Sequence, residues 1–171
     1  MNSGYPDLSY QAIHKEYIYC VIPRSTPQGS SFGPDEATVL RPALVDNDFL
    51  KDLNFLVPLP SNGLYNFTNQ LMQQYQLTPT ATLAMNNLDT AYKLAAQGCG
   101  ALFINAFDFH CWHPALDAKL AFCILSNPPV CRHAMLCYRQ DSKNIDLIES
   151  LRTVIDERLL PMLSASQPNF E

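Results

Sequence analysis

Two histidines, His110 and His113 in "HCWH", are the closest grouping of metal-ligand side chains in the sequence. At positions i and i+3 they can share one face of a helix, but a zinc site takes three or four ligands and no third one of the right type is fixed beside them. They read as structural, and Trp112 between them as a packing residue. The six cysteines, Cys20, Cys99, Cys111, Cys123, Cys131 and Cys137, contain no C-x-x-C pair. Most lie in apolar runs, so all six are expected to be free thiols, buried as small hydrophobes. A hydrolase built on Cys111 and a histidine would need a group to orient the pair, and none is apparent. No G-x-S-x-G, Walker or G-x-G-x-x-G motif occurs. The "GCG" at 98–100 follows a helix, where a phosphate loop would follow a strand. The expectation is a non-enzyme with no metal and no cofactor.

What remains is chemistry of recognition. Ser61, Asn62 and Gly63 follow "FLVPLP", Asn86 and Asn87 follow "TLAM", and Asn105, Ala106 and Phe107 follow "GALFI". In α/β folds, ligands bind beyond the carboxyl ends of strands, where helix N-termini present unpaired N–H groups. These three mouths are therefore candidate ligand contacts. The plainer alternative is that Ser61 and the asparagines only cap helices.

The elements that would carry them alternate. "EYIYCVIP" is apolar on both faces, as a covered central strand is. A loop rich in proline and glycine follows, then a short helix in "DNDFLKDL" capped by Asp46 or Asn47, and a strand in "NFLVPLP". In "SNGLYNFTNQLMQQYQL", Leu64, Phe67, Leu71 and Tyr75 share a helical face, with Ser61 or Asn62 as cap. "PTATLAM" is a strand. Asn86 or Asn87 caps the next helix, which buries Leu88, Ala91 and Ala95 and stops at Gly98. "GALFI", "AKLAFCIL" and "RHAMLCYR" are strands, the first of them buried. A last helix has Ile145, Ile148, Leu151, Ile155 and Leu159 along one side, and Pro161 should bend or end it. The pattern predicts an α/β protein with a mostly parallel sheet.

Composition agrees. Over 171 residues, 47% are hydrophobic and 16% charged, as in a folded chain. Eleven basic against sixteen acidic residues, a net charge of -5, argue against a nucleic-acid-binding face. No apolar run is long enough to span a membrane. His14, Lys15 and Glu16 interrupt the only segment that a signal peptide could occupy, so a cytoplasmic location is expected.

The order and spacing of "PDLSYQAIHKEYIYCVIPRSTP", "VDNDFLKDLNFLVPLPSNG", "LDTAYKLAAQGCGALFI", "KLAFCIL" and "RHAMLCYRQDS", from about Asp7 to Leu163, resemble the effector-binding domain of a LysR-type transcriptional regulator. The chain has Thr26-Pro27 where that family has His-Pro, and Asn105-Ala106 where it has Leu-Pro. The resemblance implies a two-lobe, type 2 periplasmic-binding-protein-like α/β fold. Lobe two, residues 27–127, would be complete. Lobe one, residues 1–26 and 128–171, would be partial, keeping the strands 16–22 and 133–138 and the final helix. The family's DNA-binding domain and the first part of lobe one have no counterpart here, as in a fragment or truncated gene product. The implied function is ligand sensing for transcription, with a small metabolite in the cleft between the lobes. A free-standing periplasmic-type solute-binding protein is the alternative, opposed by the cysteines and the N-terminus. The implied effector contacts are the three mouths named above, together with Arg24 and Thr26 at the hinge. Arg24 could pair with an acidic effector, although an exposed loop arginine is the simpler reading. The expected partners are a small-molecule effector and a second copy of the chain, most simply as a dimer. Neither direct DNA binding nor membrane association is expected.

Overall fold

The longest element is a strand, β1, Leu8–Pro23, with 16 residues. Its burial changes character along its length. From Leu8 to Glu16 exposure fluctuates, whereas every residue from Tyr17 to Pro23 is buried. The cause is in the sequence: "YIYCVIP" has no polar face, so this half must be covered on both sides. The computed structural model describes residues 6–105, 114–126 and 129–165.

The buried half of β1 lies between two strands that both run against it. These are β5, Leu102–Asn105, and β6, Leu120–Ile124. The strand β2, Ala43–Leu44, extends the sheet parallel to β6. The strands β3, Phe55–Pro58, and β4, Thr82–Met85, form a parallel pair of their own. That pair joins the sheet at one point, the Phe55–Ala101 bridge, where Leu56 N donates to Ala101 O at 2.8 Å. Strands β2, β6, β5, β3 and β4 thus share one direction and β1 alone opposes them. The first half of β1 leaves this sheet and pairs from Leu8 to Tyr17 with β7, Cys131–Arg139.

The expected strand at 16–22 therefore begins eight residues earlier, at Leu8. Residues 133–138 pair with its earlier half, Ser9–Lys15; of residues 16–22 only Glu16 and Tyr17 pair with β7, at Arg132 and Cys131, and Ile18–Ile22 pair with β5 and β6. The expected helix in "DNDFLKDL" is a run of turns. Asp46 does cap it, accepting from Phe49 N at 2.8 Å, but no helical ladder follows.

Two helices cover the two faces. The helix α2, Tyr65–Gln74, buries Thr68 and Leu71 against a cluster built on Ile18, Cys20, Ile22, Phe55 and Phe103. The helix α3, Leu88–Ala95, buries Ala91, Tyr92 and Ala95 against Tyr19, Val21, Leu102 and Phe122. Each fully buried side chain of this size contributes about 1.5–3 kcal/mol over its exposed state. Asn87 Oδ1 caps α3 by accepting from Thr90 N at 3.0 Å, and Asp89 pairs with Lys93 one turn on. At the other end Gly98 stands at φ +89°. Gly98 N reaches Ala95 O and Cys99 N reaches Leu94 O, the Schellman pattern. A four-residue helix α1, Pro27–Ser30, follows β1.

The C-terminal helix starts as α4, Ile145–Val154, widens to a π-turn at Ile155–Leu159, and continues as α5, Leu160–Ala165. Pro161 was expected to bend or end it. The wide turn ahead of the proline takes up the clash its ring would make with the Glu157 carbonyl, and the helix runs on.

Candidate functional site

All five co-directional strands end at the same edge of the sheet. Ile18 pairs with Asn105 and Val21 with Leu102, so the carboxyl end of β5 lies beside the middle of β1. The β1–β7 ribbon departs from that edge. The turns after β3 and β4 lie there, and β5 ends there at Asn105; three of the four groups of candidate residues were expected at this edge.

Strands β3 and β5 touch at the Phe55–Ala101 bridge, while β3 pairs along its whole length with β4. A narrow crevice of about 10 Å³, room for roughly one water, lies between β3 and β5. Its walls are apolar: Leu56, Val57 and Pro58 from β3, Leu102 and Phe103 from β5, and Leu88 and Ala91 from α3. Its polar lining residues are Asn62 and Asn87. Asn62 Oδ1 accepts from Leu64 N at 2.9 Å, two residues on, and Asn62 O accepts from Tyr65 N at 3.0 Å. The structure thus brings together two asparagines from turns that are 25 positions apart in sequence. Residue Leu64, not Ser61 or Asn62, occupies the N-cap position of α2, and no side chain caps that helix. Ser61 and Gly63 are exposed, and a Cβ on Gly63 would meet nothing within 4 Å. Asn86 is exposed beside Asn87. Asn105 is 2% exposed, buried at the end of β5.

Arg24 and Thr26 lie elsewhere. They follow Pro23, about 17 Å along β1 from Ile18 at ~3.4 Å per residue, and so at the opposite edge. Arg24 is a structural clamp. Its Nε donates to Leu120 O at 3.1 Å, Nη1 to Phe32 O and Gly33 O, and Nη2 to Glu36 O at 2.6 Å. Thr26 Oγ1 donates to Pro23 O at 2.7 Å and accepts from Gly29 N at 3.1 Å, capping α1. The simpler reading of Arg24, a free loop residue, also fails: four carbonyls hold it, and no sequence spacing announces that. Ala106, Phe107, His110, Cys111, Trp112 and His113 lie outside the described residues. Among the described residues no group of three His, Cys, Asp or Glu side chains could hold a metal.

A second depression, missed in the sequence, opens at the same edge beyond β2 and β6. Val45, Asp46, Asp48, Tyr75 and Leu125 line it, and Asp48 is paired with Lys51 at 2.6 Å. The signal was the acidic "VDND" after a two-residue strand, too short to recognise as one.

The family model described as the LysR substrate binding domain matches residues 5–160. The chain belongs to this family. No curated protein sequence matches it. Among solved structures, the CcmR regulatory domain from Synechocystis, in complex with 2-PG, has a TM-score of 0.69 at 13% identity, covering 92% of this chain and 72% of that one. An OxyR mutant from Corynebacterium glutamicum has a TM-score of 0.72 at 16% identity, covering 99% of this chain and 51% of that one. The effector binding domain of QuiR, in complex with shikimate, has a TM-score of 0.65 at 11% identity, covering 89% of this chain and 66% of that one. The LysR substrate-binding fold is the type 2 periplasmic-binding-like α/β fold, and the mixed sheet with helices on both faces agrees with it. Among the described residues no helix is long and apolar enough to cross a membrane.

Proposed function

We propose that the chain is the ligand-sensing regulatory domain of a bacterial LysR-type transcriptional regulator. It would bind a small metabolite at the carboxyl edge of its main sheet and act in the cytoplasm without catalysis of its own. The observation that carries this reading is the family match across residues 5–160. The solved CcmR and QuiR domains, each in complex with a small molecule, support it. The strand directions support it too, since the two strands of the β1–β7 ribbon leave the sheet beside the crevice, as hinge strands beside a cleft would.

In this reading Ser61, Asn62, Gly63, Asn86 and Asn87 contact the effector, and Asn105 backs them from the sheet. Residues 27–127 with Ile18–Pro23 make lobe two, and the ribbon with the C-terminal helix belongs to lobe one. Exposed apolar side chains on that part, among them Tyr10, Met135, Leu147, Leu151 and Met162, favour a homo-oligomer, most simply a dimer. The chain itself does not bind DNA, in keeping with its net charge of -5.

The reading is tested by thermal unfolding in the presence of a panel of metabolites, with a DNA mobility-shift assay at low salt beside it. One or a few metabolites should raise the midpoint in a concentration-dependent way. A chain that ignores every metabolite, or retains DNA saturably and by sequence, is not this sensor.

A further inference from the structure

Resting on the reading of the chain as a homo-oligomer, we infer that two copies join through the free edge of β7, strand against strand and antiparallel about a twofold axis. The argument begins with the direction of the backbone groups. At one end of the ribbon Gln140 N donates to Asp7 O at 3.0 Å, and at the other Ile18 N donates to Val130 O at 2.9 Å. Even-numbered residues of this segment therefore turn their backbone groups toward β1. The direction alternates along an antiparallel ladder, so Cys131, His133, Met135, Cys137 and Arg139 turn theirs outward. Among the described residues no strand lies on that side. The outward groups of this nine-residue strand form a template for another strand.

The other edge of the ribbon is protected. The register of β1 slips between Ala12 and His14, and a bulge there spoils the ladder that an added strand needs. The strand β7 has no bulge, no proline, and no Lys, Arg, Asp or Glu between Arg132 and Arg139. A second copy of the same strand fits it. An axis through Met135 sets Met135 against Met135, His133 against Cys137, Cys131 against Arg139 and Arg132 against Tyr138. Outward groups then meet outward groups along the whole strand, with about ten N–H···O=C bonds and no like charges opposed. Moving the axis one residue to Leu136 shortens the ladder and opposes His133 to Arg139.

Such an axis is perpendicular to the sheet, so both C-terminal helices lie on one face. The Gln11 amide oxygen accepts from Arg152 Nε at 3.1 Å, which turns Arg152 to the β1 side of α4. Leu147, Leu151 and Val154 stand about 100–160° around the helix from Arg152, and so on the flank above the β7 edge. All three are exposed, and across the axis they face their own copies. The ladder alone falls short of the about 800 Å² per partner of a standard interface, and this apolar flank adds to it.

The test is sedimentation of the whole chain from about 1 µM to about 1 mM, with Met135→Lys and Met135→Glu beside the wild type. Met135 is 45% exposed, so both variants should melt near the wild-type temperature. In each, the dimer dissociation constant should rise about tenfold or more, because like charges meet at the axis. An equimolar mixture of the two variants should dimerise again, since residue 135 faces itself only in this register. Amide exchange gives a second readout. The N–H groups of His133, Met135 and Cys137 should exchange slowly at high concentration and fast on dilution, those of Ala134 and Leu136 slowly throughout. A dimer indifferent to both variants, or a mixture as weak as its components, overturns the inference and leaves the homo-oligomer reading standing. Protection of the odd-numbered amides at every concentration also overturns it, because another segment of the same chain then holds the edge. A monomer across the whole range overturns both the inference and the homo-oligomer reading.

Discussion

Arg132 Nε donates to Glu16 Oε2 at 2.5 Å, from one strand of the ribbon to the other, where β1 leaves the main sheet. The Glu16 side chain is 15% exposed and that of Arg132 35%. An ion pair so placed is screened less than a surface pair, yet it is not fully dry. In a double-mutant cycle of Glu16→Gln and Arg132→Met, followed by chemical denaturation, the coupling should be roughly 1 kcal/mol. A coupling near zero would mean the pair fixes nothing at the junction.

His14 sits two residues before Glu16 on β1, and among the described residues its buried Nε2 has no hydrogen-bond partner. Burial holds its pKa below the ordinary 6.5, against the smaller upward pull of Glu16. A histidine with a lowered folded-state pKa binds fewer protons folded than unfolded. Its contribution is therefore intact above about pH 6.5 and is lost as the pH falls through that value toward the folded pKa. Melting temperatures at about pH 7.5 and pH 5.5 should differ more for the wild type than for His14→Phe. Equal differences would remove His14 as the cause.

Cys20 and Cys123 are paired positions on β1 and β6, both buried, and both thiols are raised by burial, Cys123 to about 12 and Cys20 well above its usual value. Cys99 and Cys137 are free and exposed, which the reading of every cysteine as buried did not anticipate. At about pH 8 an aromatic disulfide reagent should label Cys99 and Cys137 quickly, and Cys20 and Cys123 only on unfolding. Denatured without reductant, the chain should titrate six thiols. Fewer would reveal a bridge.

Gly98 ends α3 at φ +89°, and a Cβ there would stand 2.7 Å from Ser25 Oγ. Gly98→Ala should cost about 1–2 kcal/mol from the left-handed backbone alone. Gly63→Ala, in open space, should fall within about 0.5 kcal/mol of wild type. Thermal unfolding of the two variants side by side checks the contrast, and equal midpoints would contradict it.

Patterns with a short range were legible in the sequence. The Asn87 cap, the Gly98 stop and the buried strand at 102–105 follow from neighbouring residues, and the structure repeats them. The two-faced apolarity of "YIYCVIP" marks a covered strand, and the structure covers it with α2 on one face and α3 on the other. The clamp at Arg24 was not legible: a loop without periodic pattern folds back to offer Phe32 O, Gly33 O and Glu36 O, and Leu120 O comes from a strand 96 residues on. Asn62 and Asn87 were singled out separately, but their meeting at one crevice depends on β3 lying beside β5, where the two touch at the Phe55–Ala101 bridge. No local pattern encodes that.

The most direct test of ligand sensing at this edge is an equilibrium titration of a stabilising metabolite into the wild type and into Ser61→Ala. Ser61 caps no helix, so the variant should melt at the wild-type temperature without ligand, and any change in affinity reports a lost contact. A lost hydrogen bond of about 0.5–1.5 kcal/mol corresponds to weakening of roughly twofold to tenfold. Weakening in that range or beyond is the expected result. Unchanged affinity in Ser61→Ala would contradict the placement of the effector on the turn Ser61-Asn62-Gly63.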